Sequence, residues 1–204
     1  MSIAPKYLAQ TLGPAVGRTN SIEIYLDYVC PYSVKIYKKL RTTIIPKINE
    51  LYPNKFTFIF RHQIQPWHPS STLVHEAAIA VSLIAPEKFW EFSDALFDHS
   101  EEYYDEPLYN ESRKETYDRL AKLAQDSVGV EPEKFLELVS IPAESGNKGN
   151  LLAPDVKYFI KQARQNGIHV SPTVVINGVT DSSIESSTEL DVWVEKAKAL
   201  DFKL

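Results

Sequence analysis

The chain contains a single cysteine, Cys30, which opens the tetrapeptide Cys30-Pro31-Tyr32-Ser33. A cysteine thiolate is both a nucleophile in disulfide exchange and a ligand for soft metal ions. One cysteine forms neither an internal disulfide nor a cysteine-rich metal site. The five histidines contain no pair at metal-binding spacing, so we expect no metal. The chemistry that remains is that of one reactive thiol.

The residues around Cys30 predict that the thiol lies at the start of a helix. Residues 22–28 are rich in strand formers and predict a strand that ends just before it. Apolar residues then recur at helical spacing from Val34, and Pro31 suits a first helical turn. The free backbone N–H groups and the positive end of the helix dipole favour thiolate over thiol. The alternative is a buried cysteine that acts as a small apolar side chain.

The remaining periodicity predicts an order of strands and helices. Residues 56–60 predict a second strand, which is parallel to the first because a helix connects the two. About a hundred residues of helical pattern follow. Residues 173–176 predict a third strand, and Asn177-Gly178 predicts a hairpin to a fourth at residues 179–180. Ser186 and Glu189 predict a capping box before a final helix.

Three motifs in this order resemble the DsbA-like thioredoxin-fold oxidoreductases. They are Leu26-Asp27-Tyr28-Val29-Cys30-Pro31-Tyr32; the stretch that holds Phe60-Arg61-His62, Trp67-His68-Pro69 and Glu76-Ala77-Ala78; and Val170-Ser171-Pro172-Thr173, which leads into Val175-Ile176-Asn177-Gly178. The resemblance implies an α/β thioredoxin fold, β-α-β then β-β-α, with an inserted all-helical domain. We predict an N-terminal extension at 1–20, the thioredoxin-like domain at 21–69 and 168–204, and the inserted domain at 70–167.

The resemblance assigns a role to the loop at Pro172. It implies that the Ser171–Pro172 bond is cis and that Ser171, Pro172 and Thr173, with Pro31 and Tyr32, bind an extended peptide or glutathione. A trans proline that merely begins a strand is the alternative, and it is the commoner isomer.

Ser33 departs from the family pattern, because the usual second cysteine is absent. The chain therefore cannot form the internal disulfide of a dithiol enzyme. Cys30 can still form and resolve a mixed disulfide, and we predict monothiol exchange linked to glutathione as a co-substrate. Ser33, one helical turn on, is a candidate hydrogen-bond donor to the Cys30 sulfur or a plain first-turn serine.

Two other functions stay open. The Pro-Tyr-Ser sequence is similar to kappa-class glutathione transferases and related isomerases, which use serine where Cys30 stands. In that case bound glutathione supplies the sulfur, and conjugation survives Cys30→Ser. Alternatively, the chain is a redox-inactive thioredoxin-fold binding protein, in which Cys30 is unreactive.

Four further residues are candidates for the pocket around the thiol. Asp27 ends the first strand, where it either tunes the thiol or is a partly solvated carboxylate. His62 closes the second strand, where we expect a hydrogen-bonded structural histidine. Trp67 and His68 lie on the following loop and can line a groove, although core packing is the favoured role of Trp67. The acidic run at residues 101–106 predicts a solvated loop or a partner-binding surface.

Composition excludes other classes of function. The formal net charge of −5 argues against a nucleic-acid partner. No apolar run is long enough to cross a bilayer, and residues 1–20 lack the apolar core of a signal peptide. We therefore expect a cytoplasmic protein with no membrane partner and no covalently bound cofactor. Its partner is expected to be glutathione or another thiol- or disulfide-bearing substrate, and the sequence leaves its oligomeric state open.

Overall fold

The computed structural model describes residues 3–14 and 19–201, which form a five-stranded sheet with helices. The strands are β1 (Thr11–Leu12), β2 (Asn20–Leu26), β3 (Phe56–His62), β4 (Thr173–Ile176) and β5 (Val179–Thr180). Their order across the sheet is β1-β3-β2-β4-β5. β2 and β3 are parallel, as predicted, and the other neighbouring pairs are antiparallel.

Eight α-helices pack around this sheet in the described part of the chain. They are α1 (Pro31–Lys39), α2 (Ile45–Leu51), α3 (Ser71–Ile84), α4 (Phe89–Asp98), α5 (Arg113–Val128), α6 (Pro132–Val139), α7 (Ala153–Gln165) and α8 (Leu190–Leu200). The helices α3 to α7 lie between β3 and β4 in the chain, where the sequence predicts the helical insertion. None of the described helices combines the length and the apolar character needed to cross a membrane.

The strand register brings three chain segments to one end of the sheet. Leu26, the last residue of β2, pairs with His62, the last residue of the parallel β3. Tyr25 pairs with Thr173, the first residue of the antiparallel β4. The loop after β2, the loop after β3 and the loop before β4 therefore meet at this end. These loops carry the residues that the sequence marks as candidates for chemistry.

The helical segment that follows Cys30 runs without a break to Leu51, close to its predicted end, but it contains a π-helical turn that the sequence does not predict. Residues Leu40–Ile44 form a π-helical turn between α1 and α2. Pro46 lies in the first turn of α2, and proline can donate no backbone hydrogen bond to the preceding turn. A π-turn accommodates that missing bond within a helix that otherwise continues.

The core is divided between the two faces of the sheet. Ile22, Ile24 and Phe58 lie in a large apolar cluster that extends into the inserted helices. Tyr25 and Val175 lie in a smaller cluster with Ala163 of α7 on the other face. The insertion thus shares the main core with the β-α-β unit, so α1 and the loops at the end of the sheet rest on a packed base.

Candidate active site

Cys30 lies in the turn between β2 and α1 and is the N-cap residue of that helix. Its backbone is extended, and its carbonyl accepts the first helical hydrogen bond from Val34 N–H at 3.0 Å. The thiol donates to the carbonyl oxygen of Ser171 at a sulfur–oxygen distance of 3.5 Å. Only 5% of Cys30 is exposed. The sulfur thus lies at the free amide end of a helix and against the loop that precedes β4.

The Ser171–Pro172 loop offers a backbone edge beside the thiol. The peptide bond between these residues is cis. The Ser171 carbonyl accepts from the Cys30 thiol, and its hydroxyl oxygen accepts from Gln65 Nε2 at 3.2 Å. The Ser171 N–H makes no hydrogen bond to any described residue. Thr173 Oγ1 donates to Val170 O at 2.8 Å and shapes the same loop. A free N–H beside a reactive group is able to pair with the backbone of an extended ligand.

Ser33 is buried in the first turn of α1 and faces the end of β2. Its hydroxyl accepts a hydrogen bond from Asp27 N–H at 3.2 Å. Among the described residues, the Ser33 side chain makes this one hydrogen bond. It does not bond to the Cys30 sulfur. Ser33 therefore holds the strand-to-helix turn in place.

Asp27 is fully buried, so the sequence expectation of a partly solvated carboxylate is wrong. Its carboxylate accepts hydrogen bonds from Val29 N–H at 3.1 Å and Gln65 N–H at 3.2 Å. His68 Nδ1 lies 3.1 Å away and His75 Nε2 3.6 Å away. Burial raises the pKa of Asp27, but the interactions with His75 and His68 and the Val29 hydrogen bond outweigh it, so the net pKa is lowered. A buried carboxylate therefore stays ionised next to the Cys30 turn.

His62 and His75 form a buried pair behind Asp27. Their Nδ1 atoms are 2.7 Å apart, so one ring donates to the other. Burial lowers the pKa of His62 far below its usual value, and the nearby His75 and Arg61 lower it further. His62 is thus a neutral, hydrogen-bonded structural histidine, the role expected from the sequence.

Two grooves are lined by neighbours of Cys30, although Cys30 itself lines neither. The first, which we call the acidic cleft, has a volume of about 480 Å³ and is lined by Val29, Pro31, His68, Ser70, Glu101, Tyr103, Tyr104, Asp105, Glu106 and Pro107. The second, the Ser171 groove, has a volume of about 530 Å³ and is lined by Tyr32, Val170, Ser171, Pro172 and Thr173 among others. Val29 and Pro31, on either side of Cys30, face the first groove, and Tyr32, which is 65% exposed, faces the second.

The charges of the acidic cleft act on the thiol's surroundings. Glu101, Asp105 and Glu106 have no cationic partner among the described residues, whereas the neighbouring Glu102 pairs with Arg119. Burial raises the pKa of Tyr104, and the electrostatic effects of Glu101 and Cys30 add to this, whereas a hydrogen bond with Ser100 and the charge of Lys38 lower it; the net pKa is raised. Cys30 and this cleft therefore share one electrostatic environment.

Trp67 does not pack in the core, and the favoured sequence interpretation of this residue is wrong. Its side chain is 57% exposed, and its ring centroid lies 6.1 Å from that of His68. The loop after β3 turns His68 toward Asp27 and leaves the neighbouring indole at the surface. Trp67 lines neither of the two grooves described above.

Gln65, His75 and Tyr104 also lie at this site, and they are not among the site residues predicted from the sequence. Gln65 connects Asp27, through its backbone N–H, to Ser171, through its side chain. Gln65 lies three residues after the end of β3. Because β3 runs parallel to β2, the segment after β3 must lie near Asp27, which follows β2, so the predicted topology could have indicated Gln65. Tyr104 had no such signal, because its position depends on how the insertion folds back. In the described part of the chain, no group of three or more metal-ligating side chains is arranged to hold an ion.

Solved structures with the same fold were found for this chain. No protein-family model matches the sequence, and no curated protein matches it significantly. Among solved structures, a Pseudomonas syringae protein provisionally assigned as a protein-disulfide isomerase is 27% identical, with coverage of 93% of this chain and 97% of that one and a TM-score of 0.73.

More distant matches include BdbD from Bacillus subtilis, at 20% identity, coverage of 94% and 91%, and a TM-score of 0.67. Chlamydia trachomatis DsbA matches at 16% identity, coverage of 98% and 93%, and a TM-score of 0.61. The structural neighbours are DsbA-like thiol–disulfide oxidoreductases, and the chain has their thioredoxin fold with a helical insertion.

Proposed function

We propose that the chain is a thiol–disulfide oxidoreductase that uses Cys30 alone. The observation that carries the proposal is the position of the sulfur. It lies at the N-terminus of α1 and 3.5 Å from the carbonyl oxygen of Ser171, whose N–H bonds to no residue in the described ranges. The fold that the chain shares with its neighbours supports the same chemistry, and thiol- or disulfide-bearing substrates are the expected partners.

The reaction needs two exchange steps, since Cys30 has no second cysteine to resolve it. The Cys30 thiolate attacks a disulfide, so that a new sulfur–sulfur bond forms to Cys30 and the other sulfur leaves as a thiolate. A second thiol then attacks the mixed disulfide, which releases Cys30 and forms a new disulfide outside the protein. The client is reduced, the second thiol is oxidised, and Cys30 returns to its starting state.

Glutathione is the thiol that we propose for the second step. In the first step the Ser171 groove holds the half of the disulfide that stays on Cys30, with its backbone paired to the Ser171 N–H. The client half then leaves through the acidic cleft. We further propose that the chain acts in the cytoplasm, where reduced glutathione keeps thiols available for such a cycle.

The proposal is tested with a glutathionylated peptide and reduced glutathione as substrates. We expect the chain to accelerate release of the peptide thiol and Cys30→Ser to abolish the acceleration, since the nucleophile is lost. Ser140→Ala is the control, because this exposed serine at the end of α6 lines neither groove and should keep the full activity. Full exchange activity in Cys30→Ser would refute the mechanism.

The same variant separates the two alternatives. A kappa-like transferase would keep conjugating glutathione to an electrophile after Cys30→Ser. A redox-inactive binding protein would show neither activity, and Cys30 would not react with disulfides in the folded chain.

A further inference from the structure

We propose that His68, positioned by Asp27, is the general acid that protonates the sulfur leaving from the client. The inference rests on the proposed exchange through Cys30. It assigns a second catalytic residue on the opposite side of the thiol from Ser171.

The first support is the position of His68 in the acidic cleft. His68 lines this cleft together with Val29 and Pro31, the two residues that flank Cys30 in the chain. The attacking sulfur, the attacked sulfur and the leaving sulfur lie in line in disulfide exchange. With the retained half in the Ser171 groove, the acidic cleft is the groove beside Cys30 that remains open to the leaving half.

The second support is the way in which the imidazole is held. His68 Nδ1 is 3.1 Å from Asp27 Oδ2, so Nδ1 carries its hydrogen toward the buried carboxylate. The backbone on both sides is also fixed, with His68 N–H bonded to Gln65 O at 3.2 Å and His68 O bonded to Ser71 N–H at 3.0 Å. The side chain is 21% exposed. Because the Nδ1 edge faces buried Asp27, the edge that reaches the cleft carries Nε2, which is the nitrogen left to give a proton.

The third support is the surroundings of that nitrogen. Besides Asp27, the titratable groups that line the cleft with His68 are Glu101, Tyr103, Tyr104, Asp105 and Glu106. Among the described residues no lysine or arginine lines the cleft, and a cationic influence from outside the lining is that of Lys38 on Tyr104. A leaving thiolate is therefore repelled by the carboxylates of the lining, and a proton from His68 removes its charge before it departs.

The proton balance of the step is complete. The Cys30 thiolate forms the new sulfur–sulfur bond while the client sulfur leaves with the electron pair of the broken bond. His68 in its imidazolium form transfers the Nε2 proton to that sulfur and keeps the Nδ1 proton on Asp27. The thiol that attacks in the second exchange step gives up its proton when it ionises, and that proton restores the imidazolium. The complete cycle of two exchanges therefore consumes no net proton.

The test varies only the leaving group. Wild type, His68→Gln and His99→Gln are reacted in single turnovers with two uncharged disulfides. Bis(2-hydroxyethyl) disulfide releases an aliphatic thiolate that needs a proton on sulfur. The disulfide 4,4′-dithiodipyridine releases a pyridine-4-thiolate, whose charge is delocalised into the ring and whose sulfur needs no proton to leave. His99 is the matched control, because it also pairs with a carboxylate, Glu102, at 2.7 Å but lines neither groove beside Cys30.

We expect His68→Gln to slow the aliphatic disulfide by about 100-fold. We expect the same variant to change the dithiodipyridine rate by less than about twofold, since that step needs no acid. His99→Gln should change neither rate.

Three results would overturn the inference. An equal loss with both disulfides would show that His68 only maintains the structure. Unchanged rates with both would show that it takes no part. If the wild-type chain reacts with neither disulfide, the proposed exchange itself fails and the inference fails with it, and this outcome is recognised without any variant.

Discussion

Buried polar side chains beneath the thiol connect residues that are far apart in the chain. Asp27 accepts from the backbone of both Val29 and Gln65, and the Gln65 side chain donates to Ser171. The Ser171 carbonyl in turn accepts from the Cys30 thiol. One carboxylate therefore positions the turn before α1 and the loop before β4 relative to each other.

His62 should make the stability of the protein fall on mild acidification. Its pKa in the folded state is far below the usual value, because of burial first and then the nearby His75 and Arg61. The unfolded chain binds a proton at His62 below about pH 6.5, and the folded chain does not. The stability that His62 contributes is therefore fully present above that pH. It is lost as the pH falls toward the pKa that His62 has in the folded state.

The measurement is the free energy of unfolding by urea at several pH values. From His62 we expect a slope that approaches about 1.4 kcal/mol per pH unit below pH 6. His62→Gln should remove this slope between pH 6.5 and 5.5, even if it lowers stability at every pH. An unchanged slope in the variant would show that another group causes the acid sensitivity.

At the scale of elements, α5 begins with a capping box that the sequence analysis overlooked. Ser112 Oγ accepts from Glu115 N–H at 3.3 Å, and the Glu115 carboxylate accepts from Ser112 N–H at 2.8 Å. The capping box predicted at Ser186 and Glu189 is wrong. Glu189 itself is the N-cap residue of α8, and no side chain caps this helix. Both serines are followed by glutamate three residues on, so the pattern alone does not distinguish them.

The two serines make a matched pair for measurement. Ser112→Ala should lower the free energy of unfolding by about 1 kcal/mol, because it removes the cap of α5. Ser186→Ala should change it by less than about 0.5 kcal/mol, since Ser186 caps no helix. Equal losses in urea unfolding would contradict this assignment of the caps.

Gly13 permits the close approach of β1 to β3. Its φ is +116°, and a Cβ at this position would lie 2.6 Å from the carbonyl oxygen of Phe56. Gly129, at the end of α5, also has a positive φ, +72°, but a Cβ there would meet no atom within 4 Å. We expect Gly13→Ala to cost about 2 kcal/mol more than Gly129→Ala in the free energy of unfolding. Equal costs would show that the contact with Phe56 O relaxes freely.

The order of strands and helices could be predicted from the sequence because each element carries its own periodicity. The strands β2, β3 and β4 and the Asn177-Gly178 hairpin are confirmed at or near the predicted residues. The family resemblance predicted that Cys30 and the Ser171–Pro172 loop lie close together. The register of β2 and β4 is the physical reason, because it brings the end of β2 beside the start of β4. The burial of Asp27 and the exposure of Trp67 depend on how the insertion packs, and no local pattern encodes that.

At the scale of the whole molecule, the cleft between the sheet end and the insertion carries uncompensated negative charge. Glu101, Asp105 and Glu106 line it without cationic partners in the described ranges, and the chain has a net charge of −5. Cationic disulfides should therefore react faster than anionic ones, and added salt should reduce the difference.

Cystamine, a dication, and dithiodipropionate, a dianion, test this expectation. The rate ratio at low salt should fall by about tenfold in the triple variant Glu101→Gln, Asp105→Asn and Glu106→Gln. The two disulfides differ in their own reactivity, and this difference cancels when the rate ratio of the wild type is compared with that of the variant. A ratio that is the same in both proteins would show that the acidic cleft does not contact the leaving half.

The most direct test of the account is the intact mass of the folded protein after incubation with oxidised glutathione. We expect one glutathionyl group on the wild-type chain, located at Cys30, removed by reduced glutathione and absent from Cys30→Ser. A folded wild-type chain that takes up no glutathionyl group, while the urea-unfolded chain does, would contradict the account. The thiol would then be an inaccessible core residue and not the centre of an exchange site.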